Sequence, residues 1–301
     1  MKNILCIVNP VSGLKKSLKV FYEVESKLKE SNINLELFVS KSSNHIQSYV
    51  SKINKNAFEK IIIFGGDGTI NEVVNGLYNS NNLHSFKIGI MPTGSGNSVA
   101  HDISALELDM AIRKCVGDKT MKMDVNLVDF DSFSRLSVSV LGWGMFSYGN
   151  IRAEKLRFLG PVRYDVASIM TLLEKKIHKA EIEVDGYKKS LECAFIVGCN
   201  SIHTGKGMIV APKGGFFDRK IDLVTLGKNV NRFQVYEVFQ KVYKGTHIYL
   251  PFVENIKVDS FSIDPGEDSF YNIDGDIVKS QKASVKVIPE AINLLLSLIH
   301  I

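Results

Sequence analysis

The stretch Ile61–Leu77, IIIFGGDGTINEVVNGL, constrains this chain more than any other. Ile61, Ile62, Ile63 and Phe64 form an apolar run too short for a helix, which reads as a buried strand. Gly65-Gly66-Asp67-Gly68-Thr69 then forms a turn, after which Ile70, Val73, Val74 and Leu77 recur at helical spacing. Strand, glycine turn and helix together place Asp67 at the carboxyl end of a strand, beside a helix N-terminus whose N–H groups attract anions. Three glycines around one aspartate let a phosphate approach the backbone while leaving a single carboxylate in the site. The bland alternative is a tight turn with a solvated aspartate, which leaves the density of glycines, Thr69 and Glu72 without a role.

The flanking chain repeats the pattern. Ile4–Val8 reads as a strand ending in the turn Asn9-Pro10-Val11-Ser12-Gly13, followed by a helix from Lys15 to Glu30. Leu35–Val39 is a second strand, and Ser42 to Asn54 a second helix with Ser42 or Ser43 as its cap. Lys87–Met91 is the strand after the central motif, and it runs into Pro92-Thr93-Gly94-Ser95-Gly96-Asn97 and a helix over Ala105–Val116. Alternating strands and helices predict a parallel sheet, in which the three small-residue loops share the carboxyl edge where ligands bind. Glycine and serine are also ordinary turn residues, so that alternative stands beside the ligand site.

From Met121 onward short runs of strand type dominate, and only Val162–Lys176 and Val230–Lys244 read as helical. A length of 301 residues exceeds one typical core, so two domains are expected: an α/β domain over 1–122 and a mainly antiparallel β domain over 123–301, whose last residues pack back on the first. A net charge of +5 suits phosphate ligands or an anionic surface and equally suits a plain enzyme, while no basic block with interleaved aromatics points to nucleic acid. Cys6, Cys115, Cys193 and Cys199 share no paired spacing and read as small buried hydrophobes in a reducing compartment. Neither a signal-peptide pattern nor an apolar run of about 20 residues is found, so a soluble or peripheral protein is expected. Ala291–Ile301 (AINLLLSLIHI) is apolar enough to anchor at a membrane or to pack on the core.

Other phosphate-binding signatures are absent. There is no Gly-x-x-x-x-Gly-Lys-Ser/Thr, no His-Arg-Asp or Asp-Phe-Gly, and Gly94-Ser-Gly96 is only a fragment of the dinucleotide fingerprint.

The three loops resemble those of the diacylglycerol-kinase-type lipid kinases, the family that includes sphingosine and ceramide kinases. Asn9-Pro-Val-Ser-Gly13 is similar to its first motif, Gly65–Gly76 to its signature and Pro92–Asn97 to its third loop, in the form of the sphingosine kinase branch. Glu154–Tyr164, Thr204–Met208 with Ala211–Lys213, and Asp274-Gly-Asp276 are similar to later motifs, so the resemblance covers nearly the whole chain.

The resemblance implies a phosphofructokinase-like α/β nucleotide domain, a C-terminal β-sandwich that binds lipid, and transfer of the ATP γ-phosphoryl group to a lipid hydroxyl with Mg²⁺. It implies that Asn9, Ser12, Gly13, Gly65, Gly66, Gly68, Thr69, Glu72, Thr93, Gly94, Ser95, Gly96 and Asn97 hold the nucleotide. Arg157, Arg163, Asp274 and Gly275 join them, the arginines as forked donors. Asp67 is implied as general base, where a carboxylate ionised at pH 7 serves because the proton leaves late in a loose transition state. Asp67, Asp124 and Asp276 are implied around the metal, with Asp276 replacing the family's usual Glu by a side chain one methylene shorter. Lys206 reads as a surface lysine outside this resemblance.

At the lipid headgroup the chain departs from sphingosine kinases, which carry acidic residues just before the Glu154 segment. Tyr148 and Asn150 stand at the nearest places, and a neutral amide cannot pair with a sphingoid ammonium. This favours diacylglycerol or ceramide. Gly142–Phe146 and Leu172-Leu173 are candidates for an acyl pocket or for ordinary core. A silent lipid-binding protein on the same fold and, more distantly, an NAD kinase are the rival readings. The expected partners are ATP, a membrane lipid and a transient membrane surface at a cytoplasmic location, with a homodimer left open.

Overall fold

The computed structural model describes residues 2–28, 33–156, 167, 170, 174, 176–205 and 207–296. The chain divides into two compact units. The first is Met1–Val125 with Gly205–Gly207 and Ile288–Ile301; the second is Asn126–Thr204 with Met208–Val287.

The first unit alternates strands and helices: β1 (Lys2–Val8), α1 (Ser17–Leu28), β2 (Ile33–Val39), α2 (His45–Val50), β3 (Lys60–Gly65), α3 (Asp67–Asn79), β4 (Lys87–Pro92), α4 (Ser98–Asp102) and α5 (Leu108–Val116). Its strands pair in parallel, in the order β2-β1-β3-β4. Every residue of β3 is buried, as a strand covered on both faces requires. Ile70, Val73, Val74 and Leu77 of α3 are all buried, so the apolar spacing in the sequence does mark the packed face. From α1, Phe21 meets Phe64 edge-to-face at 5.5 Å between ring centres. Sequence order reverses between β1 and β3, and in open parallel sheets the crevice at such a reversal is where ligands sit.

Lys60 is 1% exposed at the start of β3. Its Nζ donates to the carbonyls of Cys115, Val116 and Gly117 at 3.3, 3.1 and 2.7 Å, capping the C-terminus of α5, and pairs with Asp118 at 3.0 Å.

The second unit is antiparallel. It contains β5 (Thr120–Phe130) from Asn126 on, β6 (Ser134–Ser137), β7 (Val140–Gly144), α6 (Met145–Lys155), β8 (His178–Val184), β9 (Tyr187–Cys199), β10 (His203–Thr204), β11 (Met208–Ile209), β12 (Ile221–Gly227), α7 (Arg232–Val242), β13 (Val253–Val258), β14 (Ser260–Asp264), β15 (Ser269–Ile273) and β16 (Asp276–Ser280). The first half of β9 pairs with β8, and its second half lies between β7 and β12. Trp143, Tyr271, Phe261, Ile263 and Leu223 form the core. The two polar rings are satisfied inside it, Trp143 Nε1 by Ser269 Oγ at 2.8 Å and Tyr271 OH by the Ile263 carbonyl at 3.1 Å.

The last strand, β17 (Ala283–Leu295), serves both units. Residues 283–286 pair antiparallel with β14, and Asn293 and Leu294 pair parallel with β4.

Several elements differ from the sequence expectation. Ser42 to Asn54 shrinks to α2, whose cap is Asn44 in a left-handed conformation without a side-chain bond. Glu72 of α3 supplies the acceptor instead, its Oε2 taking the N–H groups of Ile46 and Gln47 at 3.2 and 3.4 Å. Ala105–Val116 resolves into α5, preceded by α4. Strands β6 and β7 are separated at Val138–Ser139, because Asp274 takes the N–H groups of residues 138–140. Met145–Lys155 is helical despite Phe146, Tyr148 and Gly149 in its first half. Trp143 is part of the buried core of the second unit. Residues 291–295 form strand, so no amphipathic anchor begins there. The helix expected over Val162–Lys176, the pair Leu172-Leu173 and residues 297–301 fall outside the described residues, apart from isolated positions in the first of these. The four cysteines are buried and stand outside any disulfide.

Candidate active site

In the first unit the loops after β1, β3 and β4 are tied into one surface. Asn9 Nδ2 donates to Thr69 Oγ1 at 3.1 Å, joining the first loop to the second across the point where strand order reverses. Ser12 Oγ reaches the Thr93 carbonyl at 3.3 Å, and the buried Ser17 Oγ meets Thr93 Oγ1 at 2.8 Å, joining the first loop to the third. Thr93 N–H donates to the Gly65 carbonyl at 3.2 Å, and Asn97 closes the third loop on Gly94 through both ends of its amide, at 2.8 and 3.0 Å.

Close approach makes glycine necessary at the seams. A Cβ on Gly94 would lie 2.3 Å from Gly66 Cα, and one on Gly13 would lie 1.7 Å from the Thr93 carbonyl oxygen. Gly13 also has φ +52°. Gly68 differs: it is exposed, its φ is not positive, and a Cβ there would meet nothing within 4 Å. Neither packing nor backbone requires glycine at 68, so the open space above it is what a side chain would fill.

Asp67 is the first residue of α3, and its carboxylate is held from the side. Ser98 N–H donates to Oδ2 at 3.0 Å and Val99 N–H to Oδ1 at 3.2 Å. Two N–H groups from the start of α4 thus orient a half-buried carboxylate at the meeting place of the three loops. Gly96 lies against it: a Cβ there would be 3.0 Å from Asp67 Oδ2 and 3.0 Å from the Gly205 carbonyl. Ser95, at the tip of the third loop, is exposed.

Two acidic residues of this unit have other partners. Glu72 accepts the N–H groups at the start of α2. Asp124 is 1% exposed on β5, where Oδ1 accepts the N–H of Glu290 on β17 at 2.7 Å.

In the second unit Asp274 and Gly275 form the two-residue turn between β15 and β16, with φ +50° and +100°. Asp274 accepts Ser137 Oγ–H and the N–H groups of Val138, Ser139 and Val140, all within 2.9 Å, so its carboxylate locks the turn onto the β6–β7 junction. Asp276 begins β16 with its side chain 71% exposed, and Oδ2 accepts Arg135 Nη1 and Nη2 at 3.1 and 3.2 Å.

Asn150 and Tyr148 lie on α6. Asn150 Nδ2 reaches the Gly275 carbonyl at 3.5 Å. Tyr148 stacks on His178 at 5.3 Å, within a cavity of about 120 Å³ lined by Met145, Tyr148, Arg152, Glu174, Lys176 and His178. Arg152 and Glu174 form an ion pair there. Burial, helped by the positive charge of Lys176, pushes the His178 imidazole down to about 4, so it is neutral at pH 7. Arg157, Arg163 and Lys206 lie outside the described residues.

Ser98, Val99, Ser17 and Gly205 touch this machinery without having been expected. Their contacts are long-range, and of the four only Gly205 carried a sequence signal, in the Gly205-Lys206-Gly207 run.

The donor set suits a nucleotide with a hard cation. The open space over Gly68 lies at a helix N-terminus, where N–H groups attract anions, and carboxylate oxygen is the ligand type that Mg²⁺ takes.

Residues 3–128 match the family described as Diacylglycerol kinase catalytic domain, and residues 139–296 match the YegS C-terminal NAD kinase beta sandwich-like domain. Sphingosine kinase 2 of Arabidopsis thaliana is 24% identical over 95% of this chain and 71% of its own length. A provisionally named lipid kinase of Streptococcus pneumoniae is 22% identical over 98% of both chains. A crystal structure of a provisionally named diacylglycerol kinase from Bacillus anthracis covers 100% of this chain and 97% of its own, with a TM-score of 0.81 at 18% identity. At that identity the likeness establishes the fold: an α/β domain and a β-sandwich.

Proposed function

Because this chain belongs to the diacylglycerol-kinase-type family of lipid kinases, we propose that it transfers the γ-phosphoryl group of ATP to the hydroxyl of a neutral membrane lipid. The observation that carries this reading is the clasp of Asp67 by Ser98 and Val99 at the meeting point of three glycine loops. Phosphoryl transfer requires positioned phosphates, neutralised charge and a carboxylate beside the acceptor. Asn9, Ser12, Gly68, Thr69 and the Thr93–Asn97 loop hold the phosphates against the N-terminus of α3. Asp67 takes the proton as the lipid oxygen gains the phosphoryl group and ADP leaves. Mg²⁺, when bound, would neutralise charge on the transferring group, and Asp67 and Asp124 are the carboxylates of the first unit proposed to hold it. Arg157 and Arg163 are proposed as phosphate donors.

The cavity beside Tyr148 supports a neutral acceptor such as diacylglycerol or ceramide. Its cations, Arg152 and Lys176, outnumber its single anion, Glu174, and His178 is uncharged there, so an ammonium headgroup finds no unopposed carboxylate. An acceptor of this kind resides in a bilayer, so the protein works at a membrane surface. Among the described residues no helix is long and apolar enough to cross a membrane.

The test is a radiolabelled-ATP assay on mixed micelles of diacylglycerol, ceramide, monoacylglycerol or sphingosine, with wild type beside Asp67→Asn. Label in a neutral lipid that disappears in the variant is expected. Label mainly in sphingosine overturns the assignment of a neutral acceptor, and no label in any lipid overturns the kinase reading.

A further inference from the structure

Helix α7 carries apolar residues on two opposite faces. Val235, Val238 and Val242 are buried, the first two packing among Val230, Leu250 and Val253. On the far side Phe233 is 86% exposed, Tyr236 50% and Tyr243, at the helix end, 45%. At helical spacing Phe233, Tyr236, Gln240 and Tyr243 fall within about a 100° arc turned away from the valines. A helix that only had to cover a core would present polar residues there. Its start is fixed by a reciprocal cap between Asn231 and Gln234, at 2.8 and 2.9 Å, so the aromatic stripe rides on a well-formed element.

Positive charge frames the stripe. Residues 232–249 contain Arg232, Lys241 and Lys244 against Glu237 alone, and Glu237 is already paired with Lys241 at 2.8 Å. The 3-10 turn His247–Tyr249 packs against α7 and adds Tyr249, 73% exposed, with Lys213 Nζ 5.8 Å from its ring centre. Aromatic rings between cations match one chemistry closely: rings settle at the depth of lipid headgroups while ammonium and guanidinium groups meet anionic phosphates.

We infer that the exposed face of α7, with Phe233, Tyr236 and Tyr243 flanked by Arg232 and Lys244, docks this protein on an anionic bilayer, an inference that rests on the proposed bilayer acceptor. The rings supply affinity for any bilayer surface, and the cations select negatively charged ones.

The test is co-sedimentation of the full chain with vesicles of phosphatidylcholine alone or mixed equally with phosphatidylglycerol. Wild type partitions onto the mixed vesicles. The double variant Phe233→Ser/Tyr236→Ser weakens that partition about tenfold or more. Arg232→Gln/Lys244→Gln weakens it at least about fivefold on mixed vesicles with little change on neutral ones. Tyr187→Ser, at a position 82% exposed on β9, leaves it unchanged. Circular dichroism establishes that each variant is folded, and turnover of a short-chain soluble diacylglycerol is measured in parallel. Equal partition of wild type and the double variant overturns the docking face, as does absence of wild-type binding. A dimer in sedimentation equilibrium that Phe233→Ser dissociates also overturns it, by assigning the face to a second copy. Loss of turnover in every protein while partition still separates the variants overturns the kinase reading alone.

Discussion

The Oδ2 atom of Asp67 accepts the backbone N–H of Ser98 at 3.0 Å, so the proposed base is oriented by a helix other than the one it begins. An amide at position 67 keeps one acceptor oxygen and turns an NH₂ group toward a second N–H. Asp67→Asn is therefore expected to lower kcat by about 10²–10⁴ and stability by about 1–3 kcal/mol. Phosphate incorporation and urea unfolding measure the two effects separately. Unchanged stability would mean that the seat on α4 contributes nothing.

Gly94 and Gly68 should respond in opposite ways to the same substitution. Gly94→Ala forces a methyl against Gly66 Cα and is expected to cost about 1–3 kcal/mol. Gly68→Ala meets nothing within 4 Å and lies in the first turn of α3. It should leave stability equal or raise it by about 0.5–1 kcal/mol. If a phosphate occupies that space, kcat/KM for ATP falls on the order of 10–100-fold. A stable Gly68→Ala protein with unaltered ATP kinetics would remove Gly68 from the site.

Lys60→Met deletes a buried amine that serves three carbonyls at the end of α5. The carbonyls are left short of a donor, and the expected loss is about 1–3 kcal/mol. Asp118 is half-exposed, so little of this loss should come from the ion pair or vary with salt. Urea midpoints at low and high ionic strength test both statements.

His178 links stability to pH. Its folded value lies near 4 and its unfolded value near 6.5, so between those values the unfolded chain binds the extra proton. The contribution is fully present above pH 6.5 and is lost as pH falls toward 4. His178→Phe should remove on the order of 1–3 kcal/mol of the decline across that window. The check is the wild-type minus variant difference in unfolding free energy, measured at a series of pH values; a constant difference would refute it.

The local features were legible because they are written in adjacent residues. Strand, glycine turn and apolar face around Asp67 come from seventeen consecutive positions, and the parallel pairing of the first four strands follows from their alternation with helices. What the sequence left hidden depends on distance. Glu72 sits in the motif, yet its carboxylate serves α2 at residues 46 and 47, and no local pattern marks a cap supplied from another helix. Lys60 looks like a strand-end lysine until residues 115–117 fold over it. The helix α6 escaped because Phe146, Tyr148 and Gly149 weigh against helix locally, whereas Ser147 Oγ bonds the Gly142 carbonyl and packing on β15 and β16 decides otherwise. Residues 291–295 form an apolar run that strand and helix readings share, and pairing with β4 settles it as strand.

Strand β17 has a consequence for how the protein is made. Both units need it, and it is synthesised last among the described elements. Until the ribosome has delivered residues 283–295, β4 and β14 each lack the neighbour that β17 supplies and present an unpaired edge. Cutting the gene near residue 122 would therefore yield two sticky fragments in place of two working domains.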